Sequence, residues 1–114
     1  MTMTLIERFI ACMKKGDNVA LADLFNKYGI LHDSSLIKIG QDTMHLEGKM
    51  AVEMMFHSKF GINGGPFKIT SVKPCSDVSA YYFIEYPQGL VAVSAYISEV
   101  DSDGLIKRLN IYPL

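Results

Sequence analysis

Residues 4–25 read TLIERFIACMKKGDNVALADLF. Thr4 and Glu7 have capping-box spacing: the Thr4 hydroxyl accepts from the N–H of Glu7, and the Glu7 carboxylate reaches back. Leu5, Ile6, Phe9, Ile10 and Met13 then form one apolar stripe of helical period. Lys14 and Lys15 suit the negative end of the helix dipole, and Gly16 ends the helix. Asp17 is a good N-cap for a second helix over 19–26, with Ala20, Leu21, Leu24 and Phe25 on its buried face. The Gly16-Asp17 joint is tight, so the two helices are expected to pack as a hairpin.

Working outward, the period changes at 28–33, which reads as a strand. Ile30 and His32 face one side, Leu31 and Asp33 the other. A shorter strand is expected at 36–39, and 40–48 is polar and expected to be irregular. A third helix follows over 49–60, stopped by Gly61. Its apolar residues, among them Met50, Val52, Met54, Met55 and Phe56, cover more than one face, so it is expected to be buried on most sides. After a Gly-rich turn at 62–66 come four strand-like runs, 67–73, 78–86, 90–100 and 105–112. Pro87-Gln88-Gly89 and Asp101-Ser102-Asp103-Gly104 are hairpin-length turns, so the last three strands are expected to form an antiparallel meander.

The run 90–100 is apolar on both faces. Val91, Val93, Ala95 and Ile97 lie on one, and Leu90, Ala92, Tyr96 and Val100 on the other. A sheet with one wet face alternates cleanly; this strand predicts cover on both sides, most simply a second subunit.

The chain of 114 residues fits a single domain over 1–114. Its 11 basic and 12 acidic residues give a net charge of −1, so no basic face is implied and nucleic acid is not an expected partner. No apolar run approaches the ~20 residues of a membrane helix, so no membrane partner is expected. Cys12 and Cys75 are far apart and form no Cys-x-x-Cys pattern. No secretory signal is read before the domain, and the expected location is cytoplasmic with reduced thiols.

The order is helix, helix, strand, short strand, helix, four strands. With the stretch from Phe9 to Asp17, the Ala20-Leu21-Ala22-Asp23-Leu24-Phe25 helix, Leu31-His32-Asp33, Leu46-Glu47-Gly48-Lys49 and the closing Asp103-Gly104-Leu105-Ile106-Lys107-Arg108-Leu109, it resembles the NTF2-like superfamily. That group includes ketosteroid isomerase-like and SnoaL-like proteins. The resemblance covers nearly the whole chain. It implies an α+β, cystatin-like cone in which three helices from the N-terminal half pack on a strongly bent mixed or antiparallel sheet around a cavity. It also implies a homodimer through the outer sheet face and a small apolar molecule as ligand, with no cofactor. No bound metal is expected, because no spacing brings His45, Glu47 and His57 together as ligands.

Asp33 resembles the general-base carboxylate of ketosteroid isomerases; burial against an apolar pocket raises its basicity. Asp33-Ser34-Ser35 is equally good turn chemistry, the commoner use of Asp. The family's donor position on the first helix falls on Phe9, which has no hydroxyl. A second donor position falls near Tyr96, which resembles an oxyanion donor. The remaining pocket walls implied by the resemblance are Phe9, Met13, Leu31, Met55, Phe56, Tyr82 and Leu109. Met50 and Met54 sit on a helix expected to line the same space, and tyrosines on the inner face are expected to meet ligand or Asp33. His32 points away from Asp33 and is expected at the dimer face or hydrogen-bonded in the core. His45 becomes a pocket candidate if 40–48 closes over the cavity, and His57 has i,i+4 spacing to Glu53. Two readings stand: a cofactor-free isomerase, cyclase or dehydratase using the Asp33 carboxylate, or a non-catalytic ligand-binding or dimerisation module.

Overall fold

A computed structural model describes residues 2–62 and 65–114. Helix α1 spans Leu5–Lys15, opened by the Thr4–Glu7 capping box and closed at Gly16, whose backbone is left-handed with φ 77°. Asp17 caps α2, Asn18–Ala22, by accepting from the N–H of Ala20 at 3.0 Å. Strand β1 is Phe25–Asp33, and a 3-10 turn follows at Ser35–Ile39. Then come β2, Met44–Glu47, and α3, Lys49–Ile62. Four strands close the chain: β3 Lys68–Ser76, β4 Ser79–Tyr86, β5 Gly89–Val100 and β6 Ile106–Pro113.

Among the described residues these strands form one six-stranded sheet in the order β2-β1-β6-β5-β4-β3. Every pairing is antiparallel except β1 with β6. The meander expected from the turns is present, and β3 extends it. The architecture is the expected α+β arrangement of helices on a mixed sheet.

The helices supply the other half of one core. Ile6, Phe9, Ile10 and Met13 of α1 and Val52, Phe56 and Phe60 of α3 are buried with the inner-facing residues of the strands. Phe9 has its ring 6.5 Å from both Phe25 and Phe56 in edge-to-face geometry, the arrangement aromatic quadrupoles favour. On β5, Val91, Val93, Ala95 and Ile97 are buried, whereas Leu90, Tyr96 and Val100 on the far side stay exposed on the single chain.

Several expectations are corrected. The second helix ends at Ala22, not at residue 26, because the Leu24 carbonyl accepts from the N–H of Ile106 at 2.8 Å and the backbone has already joined the sheet. Leu24 and Phe25 are buried as expected, but two adjacent apolar residues do not distinguish a helix end from a strand start. Residues 36–39 form the 3-10 turn rather than a strand. The supposedly irregular stretch contains β2, in which buried Met44 and Leu46 alternate with exposed His45 and Glu47. Gly61 does not stop α3, which continues to Ile62. That helix is not buried all round either: Met50 and Met54 are 74% and 65% exposed and line no cavity in the core. Residues 63 and 64 of the predicted Gly-rich turn lie outside the described residues.

Candidate functional site

Strand parity places Asp33. In β1, Phe25, Gly29, Leu31 and Asp33 are buried and the residues between are more exposed. The last inward position of the strand is therefore a carboxylate, registered between Met44 of β2 and Ile111 of β6. The chain then turns, and Ser35 donates its N–H and its hydroxyl to Asp33 Oδ1, at 2.8 and 2.5 Å. Asp33 Oδ2 accepts no hydrogen bond from the described residues. Asp33 serves the turn through Oδ1, and the same residue lines a cavity.

Asp33 opens on a cavity between the helices and the inner sheet face. Its apolar wall includes Met13, Met44, Phe56, Phe67 and Ile84; its polar groups include Tyr82, Tyr86 and Lys59. The free space is ≈ 20 Å³. One water needs ~10–15 Å³ on this measure, so an organic ligand enters only if side chains move.

Burial governs the ionisation of every polar group here. It pushes the Asp33 carboxyl above its ordinary value, opposed by the Ser35 hydrogen bonds and, more weakly, by Lys59 and His32. It pulls the Lys59 ammonium below its ordinary value, opposed by Asp33. Burial, with the Asp33 charge adding to it, raises both Tyr82 and Tyr86, so their hydroxyls stay protonated and available as donors.

Of the residues expected at the pocket, Asp33, Met13, Phe56 and Tyr82 lie on its wall. Phe9, Leu31 and Leu109 do not. They are fully buried behind it and act as packing. Met55 faces a separate surface recess. Tyr96 is corrected outright: it is 46% exposed and sits on the opposite face of the sheet from Asp33. The buried run Val93, Ala95, Ile97 sets the parity of β5, and parity sends Tyr96 outward.

His32 does face away from Asp33, and its Nδ1 lies 3.0 Å from Nδ1 of His45, its cross-strand partner. His45 therefore belongs to the outer face, with Nε2 3.7 Å from Glu47 Oε1. No ion pair joins His57 to Glu53 among the described residues. Lys59 was not anticipated. Its signal was its place three residues after Phe56, which puts it on the same helix face; a lysine in a last turn is ordinarily a surface residue. Cys12 is half-buried, Cys75 is exposed, and both are free thiols. No helix among the described residues is long and apolar enough to cross a membrane.

No protein-family model matches the sequence. No curated protein matches it either. Solved structures do match the fold. A protein from Sphaerobacter thermophilus superposes with a TM-score of 0.69 at 17% identity, covering 99% of this chain and 98% of that one. An NTF2-like protein of unknown function from Cytophaga hutchinsonii gives 0.67 at 14% identity, over 100% and 93%. A hypothetical protein with a ketosteroid isomerase-like fold from Catenulispora acidiphila, solved in complex with trimethylamine, gives 0.67 at 14% identity, over 98% and 86%. Others are described as SnoaL-like and cystatin-like. The chain has the NTF2-like, cystatin-like fold.

Proposed function

We propose that this chain binds a small, mostly apolar, carbonyl-bearing molecule and moves a proton on it without a cofactor, as an isomerase, cyclase or dehydratase. The observation that carries this reading is Asp33: Ser35 holds one carboxylate oxygen, the other accepts no hydrogen bond from the described residues, and the residue lines a cavity that Tyr82 and Tyr86 also line. A carboxylate whose basicity is raised by burial takes a proton from carbon more readily than an exposed one. Charge then develops on the carbonyl oxygen, and a protonated tyrosine is a suitable donor to it; losing such a donor costs roughly a hundredfold or more in rate. In this reading the donor role expected of Tyr96 passes to Tyr82 and Tyr86. Two free thiols suit a reducing compartment, and the cytoplasm is the proposed location.

A second reading is favoured by the cavity's size. At ≈ 20 Å³ the resting cavity holds about one water, which suits a non-catalytic module whose working surface is the outer sheet face. Tyr81, Phe83, Leu90, Tyr96 and Tyr112 stand exposed there, and a two-fold partner is the proposed cover.

Titrating the Asp33 carboxyl by NMR separates the two. The proton-transfer reading expects a midpoint clearly above the ordinary aspartate value of ~3.9. A midpoint at that value removes the base and leaves the second reading.

A further inference from the structure

Beside the cavity lies a larger recess of ≈ 210 Å³. Ile39, which ends the 3-10 turn, and Gln41 just beyond it form one side, Met55 and Ser58 of α3 another, and the Pro87-Gln88 turn between β4 and β5 the third. Two side chains, Lys59 and Tyr86, line both spaces. They are the partition between an outer vestibule and the inner chamber that holds Asp33.

Lys59 is half-buried. Among the described residues no carboxylate comes within the 4.0 Å of an ion pair with its ammonium, although Asp33 lines the same inner chamber. A cation withdrawn from water without a contacting anion carries an unrecovered desolvation cost, and an anion arriving from the vestibule offsets it through a charge-assisted hydrogen bond. Asp33 acts in the opposite sense. An anion pushed into the inner chamber meets a carboxylate, so like charge bars that end from going deeper.

The geometry points to the vestibule as an anion subsite: the ligand is a small monoanion, such as a carboxylate, whose charged end rests on Lys59 in the vestibule and whose uncharged end is directed past Tyr86 toward Asp33. This rests on the ligand-pocket part of the function proposed above, but not on Asp33 acting as a base.

A matched pair of probes tests it: phenylacetate and phenylacetamide, nearly equal in size and different in charge. Each is titrated into the 15N-labelled full chain. Phenylacetate is expected to shift the amides of Ser58, Lys59 and Gln88 and to bind more tightly than the amide. Lys59→Met is expected to weaken phenylacetate by about tenfold or more, the scale of one charge-assisted contact, and to leave phenylacetamide unchanged. Lys59→Arg keeps the charge and is expected to retain the preference, which separates loss of charge from loss of fold. Asp33→Asn is expected to keep or strengthen phenylacetate binding, since it removes a repelling charge. Equal affinity for the two probes, phenylacetate binding that survives Lys59→Met, or no shift in the vestibule at any attainable concentration overturns the subsite. An ordinary Asp33 titration with charge-selective binding intact overturns only the proton-transfer reading.

Discussion

Ser35 donates both its backbone N–H and its hydroxyl to the same oxygen of Asp33, at 2.8 and 2.5 Å. Turn and site are therefore one construction. The contacts that bend the chain out of β1 also aim the carboxylate and lower its affinity for a proton, while burial raises it by more. Replacing Ser35 with Ala removes the hydroxyl and keeps the N–H. The Asp33 midpoint is then expected to rise further. Where Asp33 is ionised, the chain is expected to lose about 1.5–3 kcal/mol, the range for a hydrogen bond to a charged group. Carboxyl NMR and urea unfolding read the two effects, and an unmoved midpoint shows that the hydroxyl does not hold the carboxylate.

Asp33 also gives stability a pH dependence of definite sign. Its folded pKa lies above its unfolded one, so between the two the native state binds more protons than the unfolded state. Stability falls as pH rises through that window. Asn at position 33 keeps an oxygen to accept from Ser35 and has no charge to bury. Asp33→Asn is expected to be more stable than the parent at neutral pH and to lose that part of the slope. A parent whose stability climbs through the window relative to Asp33→Asn contradicts the burial.

The two faces of β5 separate the proposed partner from the proposed chemistry. Tyr96 lies outside with Tyr81 and Phe83, and Asp33 lies inside. Tyr96→Lys is expected to shift sedimentation from dimer toward monomer by placing a charge in the interface. It should leave the Asp33 titration where it was. A parent that sediments as a monomer at high concentration removes the interface.

Phe9 was expected to line the pocket and instead packs between Phe25 and Phe56, with no exposed surface. Phe9→Ala is expected to cost about 3–5 kcal/mol as a cavity-creating core truncation, measured by chemical unfolding. A cost below about 1 kcal/mol would place the ring at a site that collapses freely.

Two glycines are expected to respond in opposite directions. A Cβ on Gly29 would lie 2.6 Å from the Ile106 carbonyl oxygen, across the β1–β6 contact. Gly29→Ala should therefore destabilise by about 1–3 kcal/mol, as overpacking does. Gly61 sits in α3, and among the described residues no atom lies within 4 Å of its Cβ position. There Ala should stabilise by about 0.4–1 kcal/mol, by reducing the freedom of the unfolded chain. Thermal unfolding of both variants compares them directly.

Local rules were enough for elements with enough residues to show a period. Thr4, Glu7, Gly16 and Asp17 specify the ends of α1 and the start of α2, because caps and left-handed glycines are contacts between near neighbours. Alternation in β1 and β5 was long enough to assign faces, and the assignment of Asp33 to the opposite side from His32 follows from it. Short elements were ambiguous. Met44–Glu47 is four residues long, and the end of α2 depends on Ile106, which lies far along the chain.

The site was legible one residue at a time but not as a set. Sequence by itself determined that a carboxylate ends the first strand on the face opposite His32 and that turn residues follow it. Only the tertiary structure decided what that carboxylate meets. Tyr82 and Tyr86 of β4 and Lys59 of α3 line the same cavity, while Tyr96 is turned away. The physical reason is range: helix caps and strand parity act over a few residues, whereas a cavity is the space left when distant elements pack, and its walls are chosen by sheet order and register.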